Sequence, residues 1–195
     1  MQTMNGEVLN LLDIERNGTR SLGPGLRYAI WTQGCPFNCP KCVTPEGRPI
    51  VPAKLIDTVQ LADDIIAKRN ITGITISGGE PFLQAASVSV LLKTVKASRP
   101  ELDVIIFTGF LKENLQSEEA LSVLSMTDLL IDGQYIDELN DGVGLRGSSN
   151  QRLHFLTNRL LPYKKELQSG KRQVEININN NNIDAIGIPF KEKLL

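Results

Sequence analysis

The sequence lacks most of what would place it outside the cell, in a membrane or on nucleic acid. Cysteine is scarce and odd in number, three in 195 residues, which argues against a secreted disulfide framework. No apolar run approaches the roughly 20 residues needed to span a bilayer. The opening Met1-Gln2-Thr3-Met4-Asn5 has neither the basic nor the apolar region of a signal peptide. Charge of neither sign dominates: 21 Lys and Arg stand against 22 Asp and Glu. That balance gives no electrostatic case for nucleic acid or an acidic membrane surface. The expectation is a cytoplasmic chain, in a compartment that keeps thiols reduced. Its length suits one domain, residues 1–195, and neither a repeat nor a linker divides it.

What the sequence does hold is concentrated. All three cysteines, Cys35, Cys39 and Cys42, fall in C-P-F-N-C-P-K-C. A closed structural zinc or iron–sulfur site usually takes four protein ligands. Three thiolates instead hold a cluster with one iron open to a substrate. Gly34, Pro36 and Pro40 keep the segment a tight loop. The plainer alternative is a structural zinc with a distant fourth ligand, either a carboxylate or His154, the single histidine. A second signal follows an apolar β-like run: Ser77-Gly78-Gly79-Glu80-Pro81. Two glycines permit close backbone approach to a ligand. Alone, this turn reads as a simple strand-to-helix junction.

The rest of the chain alternates strand and helix. Leu26 to Trp31 reads as a strand entering the cysteine loop. Asp57 caps a helix with Val59, Ala62 and Ile66 on one face and Leu61 and Ile65 beside them. Ile71 to Ser77 reads as a buried strand. Gln84 to Ser98 is helical by period, with Ala85, Val88, Leu92 and Val95 recurring before Pro100. Asp103 to Thr108 and Leu129 to Asp132 are strand-like, and Leu111, Leu115, Leu121 and Leu124 suit helical or loop packing. This alternation predicts an α/β fold with a parallel sheet. Loops after its strands gather at the carboxyl ends, so the two motifs, Thr108-Gly109 and Asp132-Gly133 should share one rim. In the tail, Val174, Ile176 and Ile178 alternate before four asparagines, and Ile183, Ile186 and Ile188 follow, as in a hairpin.

The cysteine motif followed by Ser77 to Pro81 resembles the radical S-adenosyl-L-methionine (SAM) enzymes. Gly25-Leu26-Arg27, Phe107-Thr108-Gly109, Leu130 to Tyr135 and Leu145-Arg146-Gly147-Ser148-Ser149-Asn150-Gln151 narrow the match. Over roughly residues 8 to 155 the series resembles the activating proteins of anaerobic (class III) ribonucleotide reductase. The resemblance implies a partial (β/α) barrel carrying one 4Fe-4S cluster on Cys35, Cys39 and Cys42. It implies reductive cleavage of SAM to methionine and a 5′-deoxyadenosyl radical, which takes hydrogen from a glycine of the reductase. The partners implied are that glycyl-radical enzyme and an electron donor such as flavodoxin or ferredoxin.

Site roles follow from the same resemblance. Gly78, Gly79 and Glu80 meet the methionine end of SAM, with Glu80 accepting from its ammonium or supporting the loop. Lys41 and Val43 lie where the family places adenine contacts. Thr108 and Gly109 border SAM, Asp132 orients its polar groups, and Arg146, Ser148, Ser149 and Asn150 bind it or shape the partner-facing edge. As bare sequence, the residues beyond the cysteines and the glycine loop also read as ordinary turn and loop positions. Two departures stand out. Val43-Thr44-Pro45-Glu46 replaces the aromatic or histidine and asparagine common after the third cysteine. The chain also continues as an extension over about residues 156–195, serving another partner or sealing a sheet edge. These leave a radical SAM enzyme acting on another protein or peptide as an alternative, with a non-enzymatic zinc or iron–sulfur module behind it.

Overall fold

A computed structural model describes residues 8–179 and 182–189. In chain order these form β1 (Val8–Thr19), β2 (Arg27–Thr32), β3 (Lys54–Asp57), α1 (Thr58–Ala67), β4 (Gly73–Gly78) and α2 (Ala85–Ser98). There follow β5 (Asp103–Thr108), α3 (Glu118–Ser125), β6 (Leu129–Asp132), β7 (Arg152–Phe155), α4 (Lys164–Ser169), β8 (Val174–Asn179) and β9 (Asn182–Gly187). Strands β1 to β7 build one sheet in the order β3-β1-β2-β4-β5-β6-β7. Its centre, β2-β4-β5-β6, is parallel, whereas β1, β3 and β7 pair antiparallel at the flanks. The sheet is therefore mixed, where the alternation of strands and helices predicted a parallel one. Strand β1 escapes a periodicity reading because a register shift between Leu11 and Asp13 breaks its alternation.

Asp57 caps α1 as expected, its Oδ1 accepting from the N–H groups of Val59 and Gln60, both at 2.9 Å. The buried stripe of that helix is Thr58, Leu61, Ala62 and Ile65. Val59, predicted on the inner face, is exposed. The expected α2 positions Ala85, Val88, Leu92 and Val95 are all buried. Together α1, α2 and α3 cover one face of the sheet, packing Leu61, Ile65 and Leu92 onto Tyr28, Ile74, Ile76, Val104 and Ile106. Each such side chain contributes roughly 1.5–3 kcal/mol by its burial.

The other face is also apolar, with Ala29, Ile105, Leu129 and Ile131 beneath Leu22, Leu145, Leu160, Leu167 and Ile186. Burial on both faces explains why the central strands read as continuous apolar runs. Arg27 lies on this second face, fully buried, its Nη1 2.6 Å from Asp103 and its Nε donating to Thr75 at 2.6 Å.

The expected hairpin is present as the antiparallel pair β8–β9; its turn residues Asn180 and Asn181 lie outside the described residues. Its base is tied to the main sheet. Glu175 accepts from the Arg20 N–H at 2.9 Å and from the Thr19 hydroxyl, and the Ser21 hydroxyl donates to the Ile186 carbonyl at 2.8 Å. Among the described residues, no helix is long and apolar enough to cross a membrane.

Candidate active site

Strand β2 delivers the chain into the cysteine loop, which closes on its own base. Gly34 turns at φ +95° and donates its N–H to the Gly47 carbonyl at 2.7 Å, while the Cys35 N–H meets the Arg48 carbonyl at 3.0 Å. Gln33 Nε2 adds bonds to the carbonyls of Glu46 and Pro49. The three thiols are free and half-buried, and all line one open cleft of about 160 Å³. Burial pushes the Cys35 and Cys39 thiols up, so a bound cation must displace their protons.

This donor set discriminates between metals. Among the described residues, no three His, Cys, Asp or Glu side chains gather closely enough to hold a single ion. His154 stands on β7 with Nε2 3.0 Å from Asp132, outside the cleft lining. A cubane takes one thiolate per iron corner, so its ligand sulfurs spread wider than donors around one tetrahedral ion. Three unpaired thiols along one cleft fit a three-ligand cluster better than zinc.

The glycine loop is built against the cysteine loop. The Gly79 N–H donates to the Thr32 carbonyl at 2.7 Å and the Glu80 N–H to the Gly34 carbonyl at 2.8 Å. A Cβ on Gly79 would lie 2.3 Å from the Gly34 oxygen and 2.7 Å from the Gly47 oxygen. Close approach, more than conformational freedom, therefore demands glycine there. The two motifs form one hydrogen-bonded unit.

Glu80 is fully buried. Its Oε1 accepts from the Phe82 N–H at 3.0 Å and the Thr108 hydroxyl at 2.8 Å, and its Oε2 from the Gly109 N–H at 2.8 Å. Burial pushes this carboxyl up to about 7 against the pull of those donors. The side chain braces the end of β4 to the end of β5.

Of the other residues singled out by sequence, Val43, Gly78, Thr108 and Gly109 line the cleft, together with the cysteines, Gly79 and Glu80. Lys41, Asp132 and Arg146 do not. Lys41, at φ +53°, extends its ammonium to Asp137 at 2.6 Å. Asp132 accepts from the Lys112 N–H at 2.7 Å and from Arg152. Burial works to raise its carboxyl, but Arg152, the Lys112 N–H and His154 together hold it below the usual range. Arg146 pairs with Asp141 at 2.7 Å. The Arg146 to Gln151 segment is a stitched turn. Gln151 Oε1 accepts from the Gly147 N–H at 2.7 Å and its Nε2 donates to the Gly133 carbonyl at 2.7 Å, while Asn150 Nδ2 bonds the Gln134 carbonyl at 2.8 Å.

Sequence reasoning missed Phe37, Arg48, Phe107 and Ile188 on the cleft wall. Phe37 lies over Gly109, where a Cβ would come within 2.5 Å of its ring, and meets Phe110 edge-on at 4.9 Å. Its place between the first two cysteines was the available signal. Ile188 carried none, being far from either motif in sequence.

Residues 21–154 match the family described as a 4Fe-4S single cluster domain. The chain belongs to this radical SAM family. Among curated relatives, it is 30% identical over 148 residues to an anaerobic ribonucleoside-triphosphate reductase-activating protein of Salmonella typhi, covering 69% of this chain and 91% of that one. The protein of the same description in Vibrio cholerae is 34% identical over 144 residues, with the same two shares. A pyruvate formate-lyase-activating enzyme of Staphylococcus epidermidis is 29% identical over 164 residues, covering 80% of this chain and 64% of that one. The chain thus falls among the radical SAM activating enzymes of glycyl-radical proteins, and Cys35, Cys39 and Cys42 agree with the three-cysteine motif of a single-cluster domain.

Proposed function

We propose that this protein cleaves SAM reductively and installs a glycyl radical on an anaerobic ribonucleotide reductase. The observation that carries the reading is the junction of the two motifs: three free thiols and the Gly78-Gly79-Glu80 loop on one cleft, joined by the Gly79 and Glu80 N–H bonds. Cys35, Cys39 and Cys42 would hold one 4Fe-4S cluster with one iron left without a protein ligand. When bound, that group supplies the low-potential electron for cleaving SAM, the source of the 5′-deoxyadenosyl radical.

The chain's own residues bind, orient and shield. The carbonyls of Gly78 and Gly79 meet the methionine end of SAM, and the missing side chains let this loop close against Thr32, Gly34 and Gly47. Glu80 supports that loop from behind, since its oxygens already accept from Phe82, Thr108 and Gly109. Val43 and Thr108 border the ligand, and Phe37 and Phe107 make the wall apolar so that a radical meets few water molecules. Lys41, Asp132 and Arg146 act through the loops they anchor. The sheet serves as the partial (β/α) barrel of this family, in a single cytoplasmic domain, with flavodoxin or ferredoxin as electron donor.

A second reading is a different glycyl-radical partner. The similarity to a pyruvate formate-lyase-activating enzyme extends over more of this chain, 80% against 69%. Electron paramagnetic resonance of the reconstituted, reduced protein should show a four-iron signal that shifts on adding SAM. Incubation with a cognate anaerobic reductase should then yield a glycyl-radical doublet. A loaded cluster indifferent to SAM defeats the chemistry, while a doublet only on another glycyl-radical enzyme selects the second partner.

A further inference from the structure

The family match ends at residue 154, yet the chain beyond it returns to the cleft. Gly187 and Ile188 line it beside Leu22. Ile188 is half-buried and packs against both apolar clusters on that face of the sheet, the one around Leu22, Ala29 and Ile186 and the one around Ile105, Leu129 and Ile131. It therefore joins the cavity wall to the packed face of the sheet.

The segment is fastened by one buried guanidinium. Arg172, its side chain 1% exposed, donates from Nη1 to Asn140 Oδ1 at 2.8 Å and to the Pro189 carbonyl at 2.9 Å. Its Nη2 reaches the Gly147 carbonyl at 3.1 Å and the Arg146 carbonyl. The nearest carboxylate, on Asp141, is 3.8 Å away. A buried charge is retained only where dipoles or counter-charges compensate it. Here carbonyls do so, and they join both flanks of the hairpin to Gly147, itself part of the cleft wall. Fixing Pro189 fixes its neighbour Ile188.

The chemistry of the floor restricts what it can face. Among the described residues lining the cleft, the charged side chains are Arg48 and Glu80, and Glu80 is already engaged. Leu22 and Ile188 offer apolar surface, and Gly187 and Gly133 add no side chain above it. Such a floor suits the flat face of a nucleobase and not a phosphate or a carboxylate.

We infer that Gly187 and Ile188, held in place by Arg172, are part of the ligand site, with Ile188 as the apolar floor under the nucleoside of bound SAM. This rests on the SAM reading above. The test uses the full chain, reconstituted anaerobically as wild type, Ile188→Trp and Ile188→Ala. Each is titrated with SAM and, separately, with methionine, which shares the metal-binding end but lacks the nucleoside. Perturbation of the cluster's paramagnetic signal reports binding, with iron content and thermal midpoint measured alongside.

Ile188→Trp should weaken SAM roughly tenfold or more while leaving methionine binding and iron content at wild-type values. Unchanged SAM affinity, or equal loss for SAM and methionine, overturns the inference. Should Ile188→Trp fail to load iron, Ile188→Ala decides by the same titration, with a loss of about threefold or more for SAM expected and no change overturning it. If loaded wild-type protein ignores SAM, the functional reading falls and this inference with it. The wild-type titration separates that failure from one confined to Ile188.

Discussion

The Thr108 hydroxyl donates to the Glu80 carboxylate at 2.8 Å, with both side chains buried. This bond fastens the end of β5 to the glycine loop. Thr108→Val keeps the volume but leaves Oε1 with the Phe82 N–H alone. At pH 8, where Glu80 is ionised, a loss of about 1.5–3 kcal/mol is expected, the range for a hydrogen bond to a charged group. Urea unfolding of the apo-protein measures it, and Thr108→Ser should recover most of the loss. Equal stability of the valine variant and wild type would show that the bond carries nothing.

The same carboxylate gives a pH dependence. Its folded value of about 7 lies above the ordinary 4.5, so the folded chain holds this proton more tightly than the unfolded one. Its contribution is complete below about pH 4.5 and is lost as pH rises through about 7. The apo-protein should lose on the order of 3 kcal/mol over that window relative to Glu80→Gln. The variant should itself be less stable near pH 6, because its amide confronts an N–H donor. Parallel stability profiles for the two proteins would contradict the assignment.

Gly79→Ala drives a methyl group into two backbone oxygens that cannot rotate away. We expect a loss of about 1–3 kcal/mol and weakened SAM binding, because the junction of the motifs opens. Gly47→Ala is the graded comparison at the same junction. Its Cβ would press on the Gly79 N and the Leu12 side chain at 3.3 Å, a tight but not overlapping contact, so thermal unfolding should show a loss smaller than that of Gly79→Ala.

Removing Asp103 leaves the Arg27 guanidinium buried beside Thr75. Asp103→Ala should cost about 3 kcal/mol, the low end for breaking a buried pair, because the Asp103 side chain keeps 16% exposure. Adding Arg27→Leu to it should recover part of the loss in chemical denaturation. A double variant no better than the single one would mean the pair is not the source.

Cys39→Ala should abolish stable four-iron loading, read as iron and sulfide per chain, while moving the apo-protein by about 0.5 kcal/mol or less, as at a site outside the packed core. Stoichiometric zinc and no iron in the wild type, with the zinc lost in the variant, would return the site to the binding-module reading.

Much of this was legible in the sequence because it was local. The cysteines, the glycine loop, the Asp57 cap and the strands at Asp103 and Leu129 each announce themselves within a few residues. The flanking strands did not, since β1 is bulged and carries Asp13, Glu15 and Arg16 along its length. Nor did the true partners of Asp132. A turn aspartate before glycine looks like a ligand contact until Arg152 and the Lys112 N–H take its oxygens. Ile188 was invisible for the same reason: only the folded hairpin brings it to the cleft.

The three cysteines proposed to hold iron occupy eight consecutive residues, whereas the wall that faces them is assembled from β4, β5, the loop after β6 and the end of β9. On the proposed function, capture of metal depends on a local loop and competence for substrate on strands distant in sequence. A loop of this length can collect iron before the distant strands have found their register. Brown colour in a preparation would then count chains with a formed loop, and the share able to turn over would be set by those that have closed the sheet.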